Sequence, residues 1–71
     1  MKRQVLGYYV EIYDKTKDIY IYQSIKFKTL KQCKNHISKI DYLGDNYGVD
    51  IMILEGNNDD NYDINVYEKV R

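Results

Sequence analysis

Few side chains in this chain have the reactivity for catalysis or ligation. They are one histidine, His36, one cysteine, Cys33, and an acidic run, "NNDDNYD", at 57–63. A histidine acts as a general base only beside a nucleophile or a substrate site, and no second histidine or cysteine stands at ligand spacing to face His36. Cys33 shares helical spacing with Leu30, Ile37 and Ile40, the pattern of a small core hydrophobe rather than a nucleophile. As the only cysteine it makes no internal disulfide, and a structural zinc site needs about four ligands. The acidic run offers hard oxygen ligands suited to Ca²⁺, but it lacks the D-x-[DN]-x-[DN]-G spacing and the distal Glu of an EF-hand. Asn and Asp gather in hairpin loops because they cap their own backbone. "VLGYY" holds one glycine, too few for a phosphate loop, so Gly7 is expected at a bend or bulge. These readings predict a protein that is not an enzyme and has no metal, no cofactor and no small-molecule substrate.

What remains is tyrosine, with nine copies in 71 residues. In "DIYIYQ", 18–23, two tyrosines alternate with two isoleucines, so a strand there has one aliphatic face and one phenolic face. Which face is buried depends on the elements around it. From Val5 to Asp14, Leu6, Tyr8, Val10 and Ile12 alternate with Val5, Gly7, Tyr9, Glu11 and Tyr13, which predicts a first strand. "DKTK", 14–17, supplies a polar turn. A second strand over 18–27 then sets Ile19, Ile21, Ile25 and Phe27 opposite Tyr20, Tyr22, Ser24 and Lys26. Pairing Ile12 with Ile19, Val10 with Ile21 and Tyr9 with Tyr22 makes the two faces agree.

Thr29 is the expected N-cap of a helix over 29–42, ended by Gly44. Leu30, Cys33, Ile37 and Ile40 fall within an arc of roughly 80° on an ideal helix, and Lys28, Lys31, Gln32, Asn35 and Lys39 fall on the far side. Val49, Ile51 and Ile53 then alternate with Asp50, Met52 and Leu54. After the loop "GNNDDN", 56–61, Tyr62, Ile64 and Val66 alternate with Asp63, Asn65 and Tyr67. Pairing Ile53 with Ile64 and Ile51 with Val66 keeps the aliphatic faces together. The expected fold is therefore α+β: a single domain over 1–71 with the two-layer order ββαββ, a four-stranded antiparallel sheet and one helix on one face. A crossover that brings the third strand beside the first gives strand order 2-1-3-4, with 2-1-4-3 as the alternative.

One helix covers one face, so the other is left open. The alternation assigns to it Val5, Tyr9, Tyr13, Tyr20, Tyr22, Met52, Leu54 and Tyr67, in the charged company of Glu11, Lys26, Asp50, Asp63 and Lys69. Met52, Leu54 and Val5 among tyrosine rings suggest more contiguous apolar surface than a monomer ordinarily shows, so Tyr9, Tyr13, Tyr20, Tyr22, Met52, Leu54 and Tyr67 are the expected partner-binding residues. The expected function is a small non-enzymatic protein-binding module that engages a partner protein or a second copy of itself. The alternative is a single-stranded nucleic-acid binder that stacks bases on the same rings, although no cationic groove accompanies them.

The eleven basic and eleven acidic residues sum to zero charge, which excludes the overall footprint of a duplex-DNA binder. Charge is nevertheless segregated: 26–39 holds five lysines and no acid, and 55–63 holds four acids and no base. Both segments read first as solvated surface, and secondarily as a phosphate-contacting helix and an acidic docking loop. No run approaches the roughly 18 apolar residues of a membrane span, and no signal peptide is evident. With one cysteine, this points to the cytoplasm. Richness in Lys, Asn, Ile and Tyr, all with A+T-rich codons, associates the chain with a low-GC bacterium or its phage, where inhibiting or regulating a host protein is a natural role.

Overall fold

A computed structural model describes residues 3–40 and 43–71. In chain order it contains β1 (Gln4–Asp14), β2 (Ile19–Gln23), α1 (Leu30–Ser38), β3 (Tyr47–Asn58) and β4 (Asn61–Lys69). The four strands form one antiparallel sheet in the order β2-β1-β3-β4, so the crossover through α1 brings β3 beside β1. The α+β architecture with ββαββ order is as the alternation predicts.

The helix begins where its capping chemistry places it. Thr29 has an extended backbone and its hydroxyl accepts from the Gln32 amide at 3.2 Å, while the Gln32 side chain accepts from the amides of Lys28 and Thr29 at 3.0 and 3.2 Å. These are reciprocal bonds that satisfy otherwise orphaned donors. The helix ends at Ser38 with Lys39 as C-cap, earlier than the expected 42. Positions 41 and 42 lie outside the described residues.

The core is Val10, Ile12, Val49, Ile51 and Cys33, with Tyr8, Phe27, Leu30, Ile37, Ile40, Leu43 and Tyr47 packed around it. It occupies the space between α1 and the two central strands. At nine residues the helix covers little more than β1 and β3, so β2 and β4 stay exposed along their whole lengths.

The pairing of the outer strands differs from the expected register. Between β1 and β2 the partners are Asp14 with Ile19, Tyr13 with Tyr20, Ile12 with Tyr22 and Glu11 with Gln23, with a bulge that leaves Ile21 unpaired. The bulge puts Tyr20 and Tyr22 on opposite faces. The expectation that Ile19 and Ile21 lie under the helix is thus corrected. Ile19 stands on the helix side beyond the helix's reach, Ile21 is the bulge residue, and both are about half exposed, at 49% and 47%. The turn that sets this register is built by Asp14, whose Oδ1 accepts from the amides of Thr16 and Lys17 at 2.9 and 3.1 Å, and by Asp18 in the left-handed region at φ 58°.

Between β3 and β4 the partners are Leu54 with Ile64 and Met52 with Val66, one residue from the expected register. A one-residue slip turns every side chain to the other face, so Tyr62, Ile64 and Val66 lie on the open face and Asp63 and Asn65 on the helix side. A second bulge at Tyr67 precedes the pairing of Ile51 with Glu68. The sheet also runs further into the hairpin than expected, leaving only Asp59 and Asp60 as the turn. Gly56 is required here, because a Cβ at that position would collide with the Asn61 backbone. The bulge expected near Gly7 is present, with Leu6 skipped in the register. A Cβ on Gly7 would stand 2.9 Å from the Phe27 carbonyl, where the chain after β2 pairs Phe27 with Tyr8.

Candidate functional site on the open sheet face

Partners directly opposite in an antiparallel ladder share a face, so the registers read as rows across the open side. One row is Tyr20, Tyr13 and Gly48; the next is Gln23, Glu11, Asp50 and Lys69, spanning all four strands. Beyond it come Tyr9, Met52 and Val66, then Gly7, Leu54 and Ile64, and at the far end Gly56 and Tyr62. An aromatic row and an apolar field thus flank one polar row. Met52 and Leu54 are buried beneath their neighbours, and Tyr62, Ile64 and Val66 are exposed beside them.

The polar row holds two carboxylates directly opposite each other, Glu11 and Asp50, exposed only to 7% and 6%. Like charges so placed destabilise a sheet, and burial makes them costlier. Glu11 is compensated by donors: the Tyr9 hydroxyl at 3.0 Å and the Gln23 amide at 2.9 Å. Burial first, and then the hydrogen bond and charge of Glu11, push the Tyr9 phenol up to about 12. Asp50 is treated differently. Its nearest cation, the exposed Lys69 ammonium, stands 3.9 Å away, and among the described residues no donor reaches Asp50 within hydrogen-bond distance. Beside Asp50 the face opens into a cavity of about 560 Å³, lined also by Tyr13, Tyr20, Gly48, Lys15, Asp18 and Arg71. Tyr13 and Tyr20 meet edge to face there, with ring centres 5.0 Å apart and planes at 63°.

Of the expected partner-binding residues, the open face brings together Tyr9, Tyr13, Tyr20, Met52 and Leu54. It does not hold Tyr22 or Tyr67. Tyr22 lies on the helix side, stacked on His36 with its hydroxyl 3.0 Å from Nε2, and Phe27 tilts against the same imidazole at 5.3 Å. Tyr67 packs edge to face on Tyr8 at 5.6 Å. Val5 is opposite Glu55 across the Leu6 bulge and so also leaves the open face. Tyr62, Ile64, Val66 and the Glu11–Asp50 pair were not among the expected residues. For Tyr62, Ile64 and Val66 the signal was the alternate register of β4, in which Lys69 comes into line with Asp50. Glu11 and Asp50 were placed on this face by alternation, and what was missed is that they stand directly opposite each other.

Among the described residues, no three His, Cys, Asp or Glu side chains converge as metal ligands. His36 is held between Tyr22 and Phe27, and Cys33 is fully buried, with its thiol pushed up by that burial. No helix among the described residues is long and apolar enough to cross a membrane. The lysine-rich and acidic segments meet at the Lys26–Asp59 pair, 3.6 Å apart, and Asp63 pairs with Arg3 at 2.7 Å. Compared with family models, curated proteins and solved structures, the chain matches none.

Proposed function

We propose that this chain is a non-enzymatic binding module that holds a partner protein against the open face of its sheet. One observation carries the reading. Ile64 and Val66 are exposed in the same rows as the buried Leu54 and Met52, with Tyr62 exposed in the next row, so an apolar field on the outer strand β4 continues a largely buried apolar centre. Buried apolar anchors flanked by exposed apolar side chains fit the anatomy of an interface core. Inhibition or regulation of the bound protein, in the cytoplasm of a bacterium or of a phage host, is the role proposed for such binding.

The nucleic-acid alternative is disfavoured by the same rows. Buried Glu11 and Asp50 stand at the middle of the face, where stacked bases would bring phosphates.

The test compares the protein with its Ile64→Lys/Val66→Lys variant, whose substitutions lie on an exposed edge strand, and with Lys31→Glu on the helix back. A partner captured by the native chain and by the helix-back variant, lost from the face variant, and protecting the Met52 and Leu54 amides from exchange, supports the reading. Equal capture by both variants overturns it. So does submicromolar binding of single-stranded DNA or RNA that falls steeply with salt.

A further inference from the structure

Asp50 is the least reconciled group on the open face. Its side chain is only 8% exposed, yet no donor among the described residues bonds to it. No side-chain oxygen or nitrogen described is both fully enclosed and unpaired. An Asp50 oxygen without a donor therefore touches solvent, and the solvent it touches is the cavity it lines. Directly opposite it in the ladder stands a second buried carboxylate, Glu11, outside the cavity, so Asp50 and Asp18 are the anionic groups of the cavity lining.

Cations also line this cavity, and their positions decide the sign of the ligand. Arg71 directs its guanidinium at the carbonyls of Leu43 and Gly44, at 2.9 and 3.3 Å. Lys15, whose stem passes over Gly48, is exposed, and the Lys69 side chain is 77% exposed, so both ammonium groups are carried on flexible stems that can turn into water. An exposed ammonium at 3.9 Å is a weak partner. The charges that cannot move are the carboxylates. In the adjoining row Tyr13 and Tyr20, whose rings meet each other at 63°, line the same cavity, and tyrosine rings attract cations.

We propose that the cavity beside Asp50 is a cation-recognition site that takes an arginine side chain of the partner protein. Arginine suits it better than lysine. Its planar guanidinium supplies two parallel donors to one carboxylate, is more weakly hydrated than an ammonium, and stacks on tyrosine. Entry displaces Lys69 to the rim and gives Asp50 the hydrogen bonds it lacks. The site names the chemistry of the partner anticipated above and rests on that reading only for the source of the arginine.

The experiment is an NMR titration of the full chain with the capped tripeptide acetyl-Gly-Arg-Gly-amide, with its citrulline counterpart as a neutral isostere. Saturable shifts of the Tyr13, Tyr20, Gly48 and Asp50 amides with the arginine peptide, on the order of 1 mM in affinity for a single side chain, and at least tenfold weaker shifts with citrulline, support the site. Asp50→Asn, nearly isosteric, is expected to weaken binding at least tenfold. Because loss of that carboxylate also alters the fold's electrostatics, Lys69→Ala serves as the second variant, and removing the competing ammonium is expected to tighten binding severalfold. Equal response to both peptides, no response, or saturable shifts with inorganic phosphate alone overturn the site. The outcome is separable from the fate of the interface reading. Arginine binding at the cavity with unchanged capture by the Ile64→Lys/Val66→Lys variant refutes the face and leaves the site. Loss of capture without arginine binding does the reverse.

Discussion

Ile21 and Ile51 carry the same side chain on two strands of one sheet, and the structure gives them opposite weight. Ile51 is fully buried in the cluster under the helix, and Ile21 is the unpaired bulge residue of an edge strand, 47% exposed. Truncating Ile51 to alanine removes its transfer energy and leaves a cavity, a cost of about 2–5 kcal/mol. A 71-residue domain has about 4–10 kcal/mol in all, so Ile51→Ala is expected to leave the chain barely folded. The same truncation at Ile21 forfeits only about half of the roughly 1.5–3 kcal/mol that full burial contributes, and it leaves no enclosed void, so it costs about 1 kcal/mol. Urea unfolding followed by circular dichroism reads the difference. With a slope of about 1 kcal/mol per molar, the midpoint falls by about 2–5 M for Ile51→Ala and by about 1 M for Ile21→Ala. Equal midpoints would mean that β2 turns its isoleucines under the helix after all, and would refute the bulged register of β2 and the separation of Tyr20 from Tyr22 that follows from it.

Two further outcomes follow from the core and from the polar row. Cys33, fully buried with its thiol pushed up by burial, is expected to react with a thiol reagent about a thousandfold more slowly in native protein than in urea; rapid native labelling would break the helix register. The Tyr9 phenol, at about 12 in the fold against about 10 in an unfolded chain, keeps its proton longer when folded. Its contribution to stability is therefore complete below pH 10 and is lost as pH rises from 10 through 12. Ultraviolet titration should show a late phenol that Tyr9→Phe removes, and Glu11→Gln should bring it only part of the way back, because burial is the larger cause.

Element identity was legible because it depends on local signals. Thr29 announces the helix start, the Leu30, Cys33, Ile37, Ile40 stripe finds the core it implies, and alternation locates all four strands. Face assignment succeeded for β3 and for β1 from Gly7 onward, whose Val10, Ile12, Val49 and Ile51 are packed by the helix, and missed Val5, which the bulge at Leu6 turns over. It failed for parts of β2 and β4, where register is set by bulges at Ile21 and Tyr67 and by the lengths of two turns. Alternation is blind to both. In β4 two self-consistent registers exist, one aligning isoleucine with isoleucine and one aligning Asp50 with Lys69. Matching aliphatic residues by sight selects the first. The second is the one found, because the nine-residue helix does not extend over β4, so turning Ile64 and Val66 to the helix side would bury them no better there.

That limited reach also explains why the open face is as apolar as it is. With little volume under the helix, Met52 and Leu54 can leave water only by packing among Tyr9, Tyr62, Ile64 and Val66, which makes the open side a second, half-finished core. A face shaped by stability alone would not seat two opposed carboxylates beside that core, since a β-branched pair at Glu11 and Asp50 would relieve both repulsion and desolvation. The two carboxylates are also unequal: Glu11 is satisfied from within by Tyr9 and Gln23, and Asp50 is left facing a cavity. In the proposed reading, the apolar field is the surface a partner would cover, and Asp50, paired only with an exposed ammonium at 3.9 Å, is the group that would select a cationic side chain on that partner.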